Sequence, residues 1–161
     1  MADAHVLDKA FQIIMRGFVG TGRAPHYTEL AAALGCGVED GRRVLHDLMN
    51  TPGIAGWLHP GTDYIASLAP FYNLASQYRV TVDGQQKWFA QCGFEALAVC
   101  WVFPGRNMRI DAPCLDCNMG VAVEMRDGEI LALDPPEAIG HLNHPVLWGA
   151  RERRPEDAAF R

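Results

Sequence analysis

Cys92 and Glu95 stand three residues apart in Lys87-Trp88-Phe89-Ala90-Gln91-Cys92-Gly93-Phe94-Glu95-Ala96-Leu97, at the start of an apolar, helix-like run. A thiol there has three sources of activation. Free amides at a helix start favour the thiolate. The i, i+3 spacing puts Glu95 on the same helical face. Neighbouring aromatics keep the site dry and tune the acid. A soft nucleophile beside a proton carrier is a reaction centre in outline. A buried cysteine beside a solvated glutamate is the plainer alternative. The spacing predicts Cys92 to be the most reactive of the five thiols, on condition that Glu95 is at least partly protonated or turned aside.

Two further groups carry chemistry. Cys114-Leu115-Asp116-Cys117 follows a proline and precedes Asn118-Met119-Gly120. A C-x-x-C in a loop matches a metal knuckle or a redox pair. Downstream, His141-Leu142-Asn143-His144 supplies two imidazoles, so Cys114, Cys117, His141 and His144 form a candidate zinc set. Their spacing departs from the common finger pattern, and a tight loop with incidental thiols is the competing reading. Cys100, two turns beyond Cys92, sits among Val99, Trp101 and Val102 and reads as core packing. Cys36 reads as an exposed helix-turn thiol.

The elements that must position these residues are those of an α+β chain. Residues 3 to 20 read as a helix, with Val6, Leu7, Ala10, Phe11, Ile14, Met15 and Phe18 at helical spacing and Asp3 as cap. A second helix starts at Thr28 and stops at Gly35, and a third runs from about Glu39 to Met49. A hairpin around Pro60-Gly61 follows. This predicts a winged-helix-like module over 1–67, a linker over 68–77, and a small α+β domain over 78–161. That domain is expected to be a mostly antiparallel sheet with a buried helix. Its hairpins turn at Asp83-Gly84 and Asp127-Gly128, Cys92 to Val102 is the helix, and Met108–Ile110 and Val146–Trp148 are further strands.

The 161 residues carry a net charge of −5 and are 49% hydrophobic and 20% charged, the composition of a soluble globule. Nucleic acid is disfavoured as a partner, because phosphate binding needs a basic face. In the third helix Arg42, Arg43 and His46 are offset by Glu39, Asp40 and Asp47. No apolar run approaches a membrane span, and the N-terminus lacks the regions of a signal peptide. The expectation is a cytoplasmic protein with no membrane partner, whose thiols stay reduced.

The chain resembles the alkylmercury lyase (organomercurial lyase) family. The likeness rests on the order of parts, on Ile65–Phe71 as connector, on Tyr78–Val82 as the next strand, and above all on Trp88–Leu97. The resemblance implies that a small organometal is the substrate. Two thiolates grip it, a nearby carboxylic acid protonates the carbon, and cellular thiols accept the released Hg(II). It implies that Cys92 is the first thiol and Glu95 the acid, standing where the family has Asp. The extra methylene displaces the proton by about 1 Å, enough to cost on the order of 100-fold. Cys114 falls where the family has a mainly structural cysteine. The family's late catalytic cysteine is absent from Gly140–Trp148. Cys117 or Cys100 then supplies the second thiol, an imidazole replaces it, or the activity is lost or changed. The resemblance brings no required cofactor. Hg(II) or Zn(II) is the candidate bound ion, held by Cys92, Cys114 and Cys117 or by the zinc set. Two alternatives stand beside this reading: a non-catalytic metal-binding module, and a winged-helix regulator sensing a metal or small molecule.

Overall fold

The structure, a computed structural model, describes residues 2–140. The described chain divides into two compact units. One holds residues up to Ala75 together with Lys87–Phe89, and the other holds Ser76–Gln86 and the chain from Ala90 onward.

In the first unit, α1 spans Ala4–Thr21, α2 Tyr27–Leu34 and α3 Val38–Met49. The 3-to-4 spacing read in α1 buries Ala10, Ile14 and Phe18. Asp3 caps it, and Gly22 ends it in the left-handed region at φ 79°. The start of α2 differs from expectation. The cap is His26, not Thr28: His26 Nδ1 accepts from the Thr28 backbone N–H, and Glu29 Oε2 accepts from the His26 N–H. Imidazole nitrogen does here the work usually given to a hydroxyl. Gly41 of α3 lies against Ala31 of α2 so closely that a Cβ there would come within 2.4 Å of the Ala31 Cβ.

Strands β1 (Gly56–Leu58), β2 (Ile65–Leu68) and β3 (Phe71–Tyr72) pair antiparallel in that order, and Tyr72 pairs with Phe89. The stretch read as a linker therefore carries a strand. Phe71 is fully buried and stacks on Phe18 at 5.1 Å between centroids. The basic side chains of α3 are paired with acids of α3 and with Asp63. Arg42 pairs with Glu39 and Asp63, Arg43 with Asp40, and His46 Nε2 meets Asp63 at 2.6 Å.

In the second unit, β4 (Tyr78–Val82), β6 (Met108–Pro113), β7 (Gly120–Arg126) and β8 (Glu129–Asp134) form an antiparallel ladder. Val80, Ile110, Val123 and Leu133 share one register row, and Tyr78, Val80, Val82, Met108 and Ile110 are buried by the period-2 alternation. Asp83-Gly84 leads from β4 into β5 (Gln85–Ala90), and Asp127-Gly128 joins β7 to β8. All four residues have positive φ, the requirement of a tight primed turn. Between β5 and β6 come α4 (Gly93–Ala98) and a 3-10 turn, Val99–Val102.

The helix expected to be buried is only partly so. Ala96 and Val99 are fully covered, but Phe94 is 57% and Trp101 73% exposed. The strand expected at Met108–Ile110 continues to Pro113. No helix among the described residues is long and apolar enough to cross a membrane. The strand expected at Val146–Trp148 lies outside the described residues.

Candidate active site

The site is built where β5 ends and α4 begins. Cys92 is the N-cap of α4, with extended backbone at φ −140° and ψ 170°, and its Sγ accepts from the Glu95 backbone N–H at 3.4 Å. Glu95 reaches back, and its Oε2 accepts from the Gln91 N–H at 3.3 Å. This is a capping box with sulfur in place of a hydroxyl and with the carboxylate bonded one residue earlier than usual. The capping bonds therefore fix the sulfur and the carboxyl group at one helix start, independent of any ligand. They bring Cys92 and Glu95 together as the spacing predicts.

The electrostatics differ from the expectation of an activated thiolate. Cys92 is 2% exposed. Burial pushes its thiol up from 9.0 to about 11. The Glu95 and Phe94 backbone N–H groups pull the other way, and the Glu95 carboxylate adds to the rise. The amides at the helix start are present, but desolvation outweighs them. The expectation of an activated thiolate is not met: burial favours the neutral form of the Cys92 thiol. Glu95 is also pushed above the ordinary carboxylate range by burial, against the lowering effect of the Gln91 and Cys92 backbone. Both groups are thus held towards their protonated forms.

Two residues that sequence reasoning did not connect with the site complete it. Burial, and to a smaller degree a charge on Cys92, raises the Tyr78 phenol, and the Tyr78 ring lies 3.7 Å from where a Cβ on Gly93 would stand. Tyr78 is read in sequence only as a strand residue, and nothing local signals its meeting with the helix start. Gln91 Oε1 is buried without a hydrogen-bond partner among the described residues, beside the sulfur in sequence.

The remaining candidates are placed as follows. Cys100 is buried, 2% exposed, in the 3-10 turn, as core packing predicts. Cys114 and Cys117 lie together in the β6–β7 loop, Cys114 half-buried and Cys117 exposed. Cys36 is exposed. His141 and His144 lie outside the described residues. Among the described residues no group of three or more His, Cys, Asp or Glu side chains gathers that could hold a metal ion. No third such ligand therefore joins Cys92 and Glu95 there.

The fold and site define an α+β protein with a thiol and a carboxylic acid locked at one helix start. The family described as "MerB: Alkylmercury lyase" matches residues 73–153, half of the chain. The chain belongs to the alkylmercury lyase family. Among solved structures it is similar to one titled "Crystal structure of the mercury-bound form of MerB2", with a TM-score of 0.63 and 14% identity. That likeness covers 83% of this chain and 62% of the other, so this chain spans less than two thirds of that structure's length. At such identity the likeness is one of fold. No curated protein matches the chain.

Proposed function

We propose that this protein binds an organomercurial through the Cys92 sulfur and cleaves the carbon–mercury bond with a proton from Glu95. One observation carries the reading: a thiol and a carboxylic acid, both biased to the neutral form, are joined through the Glu95 N–H to Cys92 Sγ bond. Mercury is soft and prefers sulfur. A carbanion is a poor leaving group and must be protonated as it departs.

The cycle balances. Cys92–SH and R–Hg–X give Cys92–S–Hg–R and HX. Glu95–COOH then protonates carbon, releasing R–H and leaving Hg(II) between the Cys92 thiolate and the Glu95 carboxylate. Two cellular thiols remove it as a bis-thiolate and return one proton to each side chain. The need for reduced cellular thiols supports a cytoplasmic location. Nucleic acid has no part in the proposal, consistent with the paired basic side chains of α3.

The site offers one sulfur among the described residues, and Glu95 replaces a shorter acid, so turnover is slow. The test is release of benzene from a phenylmercury salt in excess thiol. Cys92→Ser abolishes release and removes the equivalent of organomercurial held at Cys92. Glu95→Gln keeps stoichiometric binding and loses release, whereas Glu95→Asp retains it. Benzene release by Glu95→Gln at the parent rate would remove Glu95 from the mechanism.

A further inference from the structure

The β6–β7 loop holds a second pair of sulfurs that the proposed cleavage does not use. The ladder pair Pro113 and Gly120 closes the loop at its base. Inside it the Cys114 N–H donates to the Met119 carbonyl at 2.7 Å, and the Asn118 N–H donates to the Cys114 carbonyl at 2.9 Å. Asn118 takes positive φ, 60°, which turns the chain after the second cysteine. These bonds hold Cys114 and Cys117 on one closed turn, three residues apart. Both thiols are free and open to solvent on at least one side. The loop is thus a folded turn that carries two accessible thiols.

We propose that Cys114 and Cys117 form a two-sulfur site for a soft d10 ion of low coordination number, Hg(II) or Cu(I), separate from Cys92. Zinc needs four ligands, and no third His, Cys, Asp or Glu completes this pair among the described residues. Ions that take two thiolates in line need no more. Binding replaces the protons of the two thiols with the ion. Because both sulfurs sit on one closed loop, the second bond forms intramolecularly, at an effective concentration above the roughly millimolar value of a flexible link. The site therefore retains its ion against a simple monothiol at about 1 mM.

The experiment uses the reduced full chain. Hg(II) is added in the presence of about 1 mM competing monothiol, free ion is removed, and bound mercury is counted. In Cys92→Ser one equivalent remains, and adding Cys114→Ser and Cys117→Ser removes it. In the unmutated chain the ion protects Cys114 and Cys117 from alkylation, a readout that needs no variant to fold. Retention of the full equivalent by the triple variant overturns the proposal. So does unchanged alkylation of Cys114 and Cys117 with mercury bound. Stoichiometric zinc that depends on His141 and His144 overturns it in favour of a four-ligand site. Failure here leaves benzene release by Cys92 and Glu95 untouched, and the converse holds.

Discussion

The state of Cys92 makes a quantitative prediction about alkylation in the absence of mercury. With its pKa moved from 9.0 to about 11, its thiolate share at pH 8 falls from about one in ten to about one in a thousand, a loss of roughly 100-fold. A thiolate of higher pKa is the better nucleophile, and with a Brønsted slope of 0.4–0.5 the two-unit rise returns about 6- to 10-fold. The net expectation is a slowdown of at least about tenfold relative to an ordinary thiol, before the 2% exposure adds steric protection. Cys114, whose thiol is pulled down by the loop amides, labels first, and the exposed Cys36 precedes Cys92. The assay is iodoacetamide labelling at several pH values with peptide mapping, in native buffer and in denaturant. Cys92 is slow in the fold, keeps accelerating beyond pH 9, and becomes ordinary when unfolded. Glu95→Gln speeds it only modestly, because burial outweighs the carboxylate as the cause. A native Cys92 that labels as fast as Cys36, or levels off by pH 9, would refute the account of the site.

Gly41→Ala drives a methyl into Ala31 at the α2–α3 crossing and is expected to cost about 1–3 kcal/mol in a thermal or denaturant melt. Gly20→Ala, on α1 with nothing within 4 Å of the new Cβ, is expected to stabilise by about 0.5–1 kcal/mol. Stability also depends on the protonation of Cys92. Its folded pKa is raised, so its contribution is complete below the unfolded value of 9.0 and is lost as pH rises through about 11. Denaturant midpoints measured across that window fall in the parent and fall less in Cys92→Ser.

What was legible in the sequence is what local chemistry decides. Asp83-Gly84 and Asp127-Gly128 announce their hairpins, because only residues tolerant of positive φ make such turns. The apolar spacing of α1 and the alternation of β4 give their buried faces directly. The C-x-x-E spacing announced that Cys92 and Glu95 meet at one helix start, although its first physical meaning is a capping box, which spacing read as chemistry conceals. Strand β3 was hidden because its two residues follow a proline and owe their order to burial of Phe71 against Phe18, a contact between distant positions. The protonation of Cys92 was illegible for the same reason. A helix start is visible in sequence, but the desolvation that outweighs it comes from tertiary packing.

A buried neutral thiol is a poor nucleophile towards hard or ordinary electrophiles, yet this suits the proposed substrate. An unpaired charge in such a site is costly. In the proposed cycle the site holds, before reaction, a thiol, a carboxylic acid and a neutral organomercurial. After the first exchange it holds a neutral Cys92–S–Hg–R beside Glu95–COOH. After cleavage Hg(II) faces one thiolate and one carboxylate, and its two charges are matched again. At no stage does the burial that raises both pKa values have to accommodate net charge. An alkylating agent is different: it must meet a bare thiolate, which is the species the site suppresses. Mercury can take the sulfur as the proton leaves. The same desolvation that slows iodoacetamide therefore leaves the mercury exchange open. It also biases Glu95 towards the protonated form that the carbon needs.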